Sequence, residues 1–435
     1  MMKILVIGSG GREHAIVWAL KKTAERSVTI YCAPGNAGIA RIAKTVPISI
    51  SDHKGLISFA QTQGIDLTFV GPEAPLVAGL VDDFEAAGLA IVGPGAQAAR
   101  LEGSKVFAKD FMARHKIPTA RYRTATSSEE AIDYLRSPEF GSPESSVVVK
   151  ADGLAAGKGV IVAKNHAEAE RAVGDLMVAH VAGREAATRI ILEEALEGLE
   201  SSLLLFADGT NYVLMPAARD HKRLGEGDTG PNTGGMGSIT GNSILSDEQV
   251  RRVVTEIVEP TLKGASDEGF PFKGILFVGL MLTNSGPKVL EYNVRFGDPE
   301  TQAILIRLKT DLVAIFDAIR RRTLNQIRVE WAEGASACVV AANRGYPGKY
   351  ESGAVIGGCE EAEIGGVQVF HAGTSLSATG ELLATGGRVL GVTAAAESLT
   401  TALAACYSAL EIIHWSGMQF RPDIGKSKPA FGTAG

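Results

Sequence analysis

One short segment of the chain spaces its polar side chains in a way that suits metal and anion chemistry. Glu291, Asn293 and Arg295 alternate with apolar residues in a run that predicts a strand, where residues two apart share a face. A carboxylate and an amide oxygen side by side suit Mg²⁺, which usually takes one or two protein oxygens together with phosphates. Arg295 beside them can hold a carboxylate or a phosphate through two hydrogen bonds. The opposite face is predicted to carry Leu290, Tyr292 and Val294, and a plain solvated strand is the alternative interpretation.

A second chemical signal is the glycine-rich stretch Lys150–Val160. It does not fit a P-loop, because Asp152 stands where the first glycine is required and Gly159 where Ser or Thr is required. The chain also continues as a strand and not as a helix. The stretch therefore predicts a hairpin between two strands, whose backbone N–H groups and Lys158 can cover a triphosphate. A flexible hairpin without a ligand is the alternative.

The N-terminal loop Gly8–His14 follows a predicted strand and resembles a dinucleotide fingerprint only superficially. Glu13 occupies the position of the third glycine, and no acidic residue ends the second strand. The backbone N–H groups of Gly10 and Gly11 can still bind a phosphate at the start of the next helix. We therefore expect a phosphate site here and not a nicotinamide cofactor.

The segment Gly225–Gly237 contains six glycines and follows the charged run Asp220-His-Lys222-Arg. A disordered linker is one interpretation. The surrounding charges and the lack of low-complexity character favour an ordered loop that covers a polar ligand. Glutamates also cluster between Ile190 and Glu200, where they are either surface charges or partners for the adenine and ribose of a nucleotide.

These segments need a scaffold, and the first hundred residues alternate strands and helices in the manner of a doubly wound parallel sheet. Loops after such strands meet at one edge, where ligands bind. Continuous helices are predicted over Leu76–Ala87, Ala98–His115 and Thr301–Arg320. We expect an α/β chain with an N-terminal Rossmann-like substrate-binding domain, a central domain, a C-terminal β-rich domain and a flexible tail. Their predicted bounds are 1–102, 103–328, 329–425 and 426–435. The central domain includes a small α/β unit at about 119–192, which the family resemblance given below implies is a mobile lid.

Composition excludes several classes of protein. The 435 residues carry a net charge of −6, which argues against broad nonspecific nucleic-acid binding. No uncharged apolar run reaches the length of a membrane span. The four cysteines lack the spacing of a zinc site or a disulfide framework, so a cytoplasmic location is expected.

Together these segments resemble the ATP-grasp superfamily, and more closely the phosphoribosylamine–glycine ligases. The resemblance runs from residue 2 to about 420. Its most specific parts are Asp220–Gly237 and the run Glu-Tyr-Asn-x-Arg-Phe-Gly-Asp-Pro-Glu that starts at Glu291. Ser238-Ile-Thr departs from the aromatic and proline that the family often has there. The resemblance implies an ATP-grasp fold and a reaction of purine biosynthesis, in which ATP, glycine and 5-phosphoribosylamine give glycinamide ribonucleotide, ADP and phosphate through a glycyl phosphate.

The resemblance also implies roles for individual residues. For ATP, Lys105 and Lys150 contact the phosphates, the hairpin with Gly153, Gly157, Lys158 and Gly159 closes over them, and adenine is held by Glu193, Ala195 and Leu196 and ribose by Glu200. Glu291 and Asn293 bind Mg²⁺ or Mn²⁺, Arg295 holds the glycine carboxylate, and Asp220 and Lys222 lie near the reacting centre. Phosphoribosylamine is bound by Gly10, Gly11, Asn36 and Glu73.

Other functions remain open from the sequence. One is an ATP-grasp carboxylase that activates bicarbonate for a related ribonucleotide. Another is a nucleotide-binding regulatory module without turnover, and a distant one is an NAD-dependent dehydrogenase. The expected partners are the small-molecule substrates, without nucleic acid or membrane, in a monomer or homodimer.

Overall fold

The computed structural model describes residues 1–155, 159–183 and 185–426. Its N-terminal part is a five-stranded parallel sheet in the order β3-β2-β1-β4-β5, which confirms the predicted layer. The strands are β1 Met2–Gly8, β2 Val28–Pro34, β3 Lys44–Thr45, β4 Leu67–Val70 and β5 Ile91–Val92, and the helices are α1 Gly11–Thr23, α2 Ala37–Ala40, α3 His53–Gln63, α4 Glu73–Val77 and α5 Leu80–Ala86. The loops after β1, β2 and β4 lie together, since the Gly35 N–H donates to Gly8 O over 3.0 Å and the Gly71 N–H donates to Ile7 O over 2.9 Å.

Two of the predicted long helices are broken. The helix expected over Leu76–Ala87 is wrong, because α4 and α5 are separated at Gly79, whose φ is +86°. The helix expected over Ala98–His115 is also wrong, because it divides into α6 Ala96–Gly103 and α7 Lys105–Arg114. Ser104 separates them with extended backbone, and its side chain accepts from the Phe107 N–H to cap α7.

A small α/β unit follows and stands apart as its own four-stranded antiparallel sheet, β6-β9-β7-β8. Its elements are β6 Tyr122–Ala125, α8 Ser128–Arg136, β7 Val147–Ala151, β8 Val160–Ala163, α9 His166–Val173 and β9 Ile190–Glu194. It has a separate apolar core that includes Leu135, Val149 and Leu192. Strands β7 and β8 flank the glycine-rich stretch and pair antiparallel, as the sequence predicts for a hairpin.

Most of the remaining strands form one large sheet with the main order β17-β16-β10-β12-β15-β18-β23-β20, and two small sheets, β13-β14 and β19-β22-β21, accompany it. The elements up to residue 321 are β10 Leu199–Asp208, β11 Tyr212–Leu214, β12 Ala218–Asp220, β13 Arg223–Gly225, β14 Thr229–Asn232, β15 Gly237–Thr240, α10 Asp247–Val253, α11 Glu259–Asp267, β16 Lys273–Thr283, β17 Gly286–Asn293, α12 Glu300–Leu305 and α13 Leu312–Arg321. Those beyond are β18 Ala335–Asn343, β19 Ala354–Val355, α14 Cys359–Glu363, β20 Gln368–His371, β21 Thr374–Leu376, β22 Leu382–Ala384, β23 Arg388–Ala396, α15 Leu399–Ile412 and β24 Met418–Gln419. Because β15 pairs with β18, this sheet continues across residue 328.

Three details of this region differ from the sequence predictions. The helix expected over Thr301–Arg320 is two helices, α12 and α13. The segment Gly225–Gly237 is not a loop throughout, because its first part, as far as Asn232, belongs to the hairpin β13–β14 that begins at Arg223. Strand β17 has a bulge at Leu290, so this residue is half-buried and does not join Tyr292 and Val294 on the apolar face.

Aromatic packing fixes the N-terminal sheet against the central part. Phe69 of β4 stacks on Phe316 of α13 with ring centroids 4.4 Å apart, and Phe296 packs against Phe69 at 5.8 Å. Such pairs contribute about 0.5–1.5 kcal/mol each beyond the area that they bury. The packing holds the start of α1 beside the loop that follows β17. None of the helices in the described ranges combines the length and the apolar character that crossing a membrane requires.

Candidate active site

The cleft between the small α/β unit and the large sheet contains a group of buried lysines. Glu193, near the end of β9, forms ion pairs with two lysines: its Oε2 lies 3.0 Å from Lys109 Nζ and its Oε1 lies 2.9 Å from Lys150 Nζ. All three side chains are at most 8% exposed. The Glu193 side chain was expected to hold adenine. In the structure its carboxylate instead pairs with these two lysines.

Lys105 and the glycine-rich stretch meet at the start of α7. The Lys105 Nζ donates to Gly153 O over 3.2 Å, and burial is the largest influence that lowers the pKa of Lys105. The Val106 N–H donates to the Asp152 carboxylate over 2.8 Å, which fixes the first strand of the hairpin to this helix. Gly159 closes the hairpin as the acceptor of the Ala151 N–H over 2.7 Å. The predicted residues Gly157 and Lys158 lie outside the described residues.

The two residues expected to offer their backbone to adenine come directly after β9. Ala195 and Leu196 are half-buried and follow Glu194, whose carboxylate is held by Arg121 and Lys288. The start of this short connection is therefore anchored by two ion pairs of Glu194.

Lys222 connects two of the predicted carboxylates. Its Nζ lies 3.2 Å from Glu200 Oε2 and 3.7 Å from Glu291 Oε1. The Glu200 carboxylate is the largest influence that raises the pKa of Lys222, and Glu291 and Asp220 raise it further. Although burial opposes ionisation of Glu291, the nearby cations Lys222, Lys150 and Lys105 hold the pKa of this carboxyl below its ordinary value. The site therefore presents an ammonium group and an ionised carboxylate to the same cleft.

Asp220 lies near Lys222 and is half-buried. Its Oδ1 is buried and has no hydrogen-bond partner within the described part of the chain. Burial is the main cause that raises the pKa of Asp220 well above its ordinary value, and the Glu300 carboxyl adds to it. An unsatisfied buried oxygen is costly, so it marks a place where a ligand group can donate.

Glu291 and Asn293 carry side-chain oxygens of the kind that bind a divalent cation. They lie on the cleft side of β17 on either side of the buried Tyr292, and they offer an ionised carboxylate and an amide oxygen. In the described ranges, no three His, Cys, Asp or Glu side chains converge on a metal position. A pair of oxygen ligands is nevertheless the usual protein contribution to a Mg²⁺ that also binds nucleotide phosphates.

Arg295 is held by carboxylates from two helices of the N-terminal half. Its Nε lies 3.2 Å from Glu73 Oε2, and its Nη2 lies 2.8 Å from Glu102 Oε1. The Nη2 also donates to Asn293 Oδ1 over 3.2 Å. Glu73 and Arg295, which the sequence assigns to different substrates, therefore pair with each other here, and the Arg295 charge lowers the pKa of Glu73 against the effect of burial.

The N-terminal loop is built around Glu13, the residue that breaks the dinucleotide fingerprint. The Gly10 N–H donates to Glu13 Oε2 over 2.6 Å, and Arg12 Nε donates to Glu13 Oε1 over 2.6 Å. Gly11 lies so close to Gln302 that a Cβ there would be 2.7 Å from its amide nitrogen. The loop therefore adjoins the segment that follows β17.

Asn36 is placed beside this loop, but its side chain is engaged with the protein. Its amide nitrogen donates to Ser9 O and to His371 O, each over 2.8 Å. Its Oδ1 accepts from the Ile39 N–H over 2.9 Å and caps α2. Any contact of Asn36 with a substrate must therefore use its backbone or displace one of these bonds.

Sequence reasoning missed several charged residues of this site. Arg388 from β23 donates to Asp298 Oδ2 over 2.9 Å and to Gly234 O over 2.5 Å, and Gln302 donates to Asp298 Oδ1 over 2.8 Å. Asp298 was visible only as part of the Gly-Asp-Pro run. Arg388 follows Gly386-Gly387, and no local feature of the sequence indicates that it reaches residues almost a hundred positions earlier.

Comparison with known proteins agrees with this arrangement. The chain matches three consecutive models of the phosphoribosylglycinamide synthetase family, namely the N domain over residues 2–102, the ATP-grasp (A) domain over 103–301 and the C domain over 336–427. The phosphoribosylamine–glycine ligase of Escherichia coli strain K12 is 49% identical over 429 residues, 98% of each chain. The enzyme of the same name from Xanthomonas axonopodis pv. citri is 50% identical over 98% of this chain and 97% of its own.

A solved structure extends the likeness to the fold. The crystal structure of the phosphoribosylamine–glycine ligase from Thermotoga maritima is similar with a TM-score of 0.82 and 34% identity, over 97% of this chain and 99% of that one. The match includes both sides of the charged cleft and the N-terminal loop beside it. With full-length identity near one half and a shared fold, this chain belongs to the phosphoribosylglycinamide synthetase family, the ATP-grasp ligases of purine biosynthesis.

Proposed function

We propose that this protein joins glycine to 5-phosphoribosylamine, with ATP converted to ADP and phosphate through a glycyl phosphate. The observation that carries the proposal is that the two ends of the segment from Leu290 to Gln302 contact different parts of the site. At its start Leu290 O accepts from Lys150, and at its end Gln302 touches Gly11. One segment thus contacts both the lysines suited to a nucleotide and the loop suited to a phosphorylated sugar.

The chemistry requires activation of a carboxylate. Glycine cannot be attacked directly by an amine, because the leaving group would be oxide. Transfer of the γ-phosphoryl group to the glycine carboxylate gives an acyl phosphate, and attack by the amine then expels phosphate. No protein nucleophile is needed, so the task of the protein is to position the reactants and to neutralise charge.

On the nucleotide side, Lys105 and Lys150 contact the phosphates, and the hairpin from Gly153 to Gly159 closes over them. Closure excludes water, which would otherwise hydrolyse the acyl phosphate. The backbone of Ala195 and Leu196 accepts and donates at the adenine edge, and Glu200, whose side chain is about half exposed, binds the ribose hydroxyls.

Glu291 and Asn293 hold Mg²⁺ or Mn²⁺, which would neutralise phosphate charge when bound. Lys222 keeps Glu291 ionised, as its effect on the pKa of that carboxyl supports. Arg295 binds the glycine carboxylate, for which it must exchange part of its contact with Glu73. Asp220 accepts a hydrogen bond from the substrate at Oδ1, which has no hydrogen-bond partner among the described residues.

Phosphoribosylamine binds at Gly10, Gly11, Asn36 and Glu73. The N–H groups at the start of α1 suit its phosphate, for which the Gly10 N–H must exchange its bond to Glu13. We also propose that the domains of the chain divide at 102/103 and near 328. The protein works in the cytoplasm on small molecules, as a monomer or homodimer.

The test is release of ADP from Mg²⁺ and ATP with phosphoribosylamine generated in situ, with and without glycine. Release that requires both glycine and the amine supports the ligase. Release that depends on bicarbonate and another ribonucleotide would instead support the carboxylase, and ATP binding without release of ADP would support a regulatory module.

A further inference from the structure

Glu193 binds two lysines that come from different parts of the molecule. Lys150 lies on β7 of the small α/β unit, as Glu193 does on β9, whereas Lys109 lies on α7 outside that unit. Both N–O distances are near 3 Å, and the three side chains are buried. One carboxylate against two ammonium groups leaves this buried cluster with a net charge of about +1 when all are ionised.

Lys109 is fixed by more than its ion pair. Its Nζ donates to Thr119 Oγ1 over 2.7 Å, and that hydroxyl donates to Val289 O over 2.7 Å. The side chain is 3% exposed. Lys109 is thus tied to β17 just before the bulge. Burial lowers the pKa of Lys109 to about 8 although Glu193 opposes the shift, so its charge is sustained at neutral pH.

Lys150 is tied to the same strand by the bulge itself. Its Nζ donates to Leu290 O over 3.2 Å, and Leu290 is the residue that has no partner across the pair β16–β17. Lys150 is therefore held by an ion pair with Glu193 and by a hydrogen bond to Leu290 O. An ammonium group has three N–H donors, so the bond to Leu290 O leaves donors for a phosphate.

We propose that Lys109 is a positioning residue for nucleotide binding: it engages one oxygen of Glu193, so that Lys150 keeps both its place and its positive charge toward the phosphates. This inference rests on the proposed function and adds a residue to it. Without Lys109, Glu193 would neutralise Lys150 alone, and the net charge of the cluster would fall from +1 to zero. Charge-assisted contacts in a dry site are strong, so the loss should be felt in nucleotide affinity.

The experiment compares four proteins: the wild type, Lys109→Met, Glu193→Gln and the double variant. ATP affinity is measured by calorimetry with Mg²⁺ and without glycine or amine, and KM and kcat are measured for each substrate. Lys109→Met should weaken ATP binding about tenfold or more and raise KM for ATP, with KM for glycine changed less than about twofold. The double variant should recover most of the ATP affinity, because Lys150 then has no carboxylate to neutralise it.

A control and the contrary outcomes make the test decisive. Lys263→Met removes an exposed lysine that pairs with its helix neighbour Asp267, and it should leave ATP affinity unchanged. Equal ATP affinity in Lys109→Met and the wild type would overturn the proposal, and so would a double variant no better than Lys109→Met. If Lys109→Met does not fold, the double variant provides the test. The proposal requires that the double variant folds and binds ATP within about threefold of the wild-type affinity, and weaker binding would overturn it. The calorimetry uses no glycine, so failure of the ligase assay would count against the proposed function and not against the role of Lys109.

Discussion

The Arg388 guanidinium donates to the Asp298 carboxylate across 2.9 Å, and so joins strand β23 to the loop that follows β17. From its other terminal nitrogen Arg388 donates to the backbone oxygens of Gly234 and Asp298, over 2.5 and 2.9 Å. Asp298 in turn accepts from Gln302, which lies against Gly11. A residue of the C-terminal part thus holds together the two most family-specific segments of the sequence and the N-terminal loop.

Replacement of Arg388 by Met should therefore impair use of phosphoribosylamine more than use of ATP. Hydrogen bonds to charged groups contribute about 1.5–3 kcal/mol each, so kcat/KM for the amine should fall about 10- to 100-fold. Steady-state kinetics with each substrate varied in turn measures the difference. The matched control is Arg328→Met, since Arg328 is exposed and pairs with Glu330 at the surface. Equal losses for ATP and the amine would argue against this role.

Two glycines of the Gly225–Gly237 segment allow a matched comparison. Gly235 has φ of +107°, and a Cβ there would lie 2.4 Å from Pro299 Cδ and 2.6 Å from Asp220 Oδ1. Gly227 has φ of +65° and open space around the same position. Each Ala variant should lose about 1 kcal/mol of stability from the left-handed backbone, but only Gly235→Ala should also displace Asp220 and lower kcat at least about tenfold. Thermal unfolding and turnover measure the two effects, and similar kcat values would show that Asp220 need not stay in place.

Glu291→Gln should abolish turnover with the fold intact. The change keeps the shape but removes the charge that Lys222 faces and that a divalent cation requires. We expect kcat below about a tenth of the wild-type value and weaker Mn²⁺ binding in the presence of ATP, measured by electron paramagnetic resonance. Glu333→Gln, at an exposed position, serves as the control. A Glu291→Gln variant that retains more than this activity would refute the metal role.

The sequence predicted the elements of the site better than the contacts between them. Strand periodicity placed Glu291 and Asn293 on one face, and the failure of the P-loop spacing identified the Lys150–Val160 hairpin, because both are local properties. Periodicity could not detect the bulge at Leu290, since a bulge depends on the register of the neighbouring strand β16.

Long-range pairing explains the other differences. Glu193 looked like a nucleotide ligand because it ends a strand rich in carboxylates, yet Lys109 and Lys150 approach it from other elements. The break between α6 and α7 likewise depends on a distant residue, because the Ser104 hydroxyl donates to Asp152 while it caps α7. Helical periodicity runs through this position without a signal.

His371 should make the protein sensitive to acid. It is buried on β20, and its backbone N–H donates to His14 Nδ1 over 2.8 Å. Burial, with a smaller effect from Arg41, lowers the pKa of His371 from 6.5 to about 4. Between these values the unfolded chain binds more protons than the folded chain, so the free energy of unfolding must fall as pH drops from 6.5 toward 4, by about 3 kcal/mol in all. His14, whose pKa burial also lowers, acts in the same direction.

Urea unfolding at pH 7, 6, 5 and 4.5 measures this loss. The variant His371→Gln removes the titrating group, and its free energy of unfolding should depend less steeply on pH, even though its stability at pH 7 is lower. His414→Gln changes an exposed histidine and should keep the wild-type slope. The same pH dependence in His371→Gln and the wild type would mean that the acid sensitivity arises elsewhere, with His14 as the next residue to replace. The flatter slope is expected because a group protonated only upon unfolding draws the equilibrium toward the unfolded chain at low pH, and glutamine has no such proton to take up.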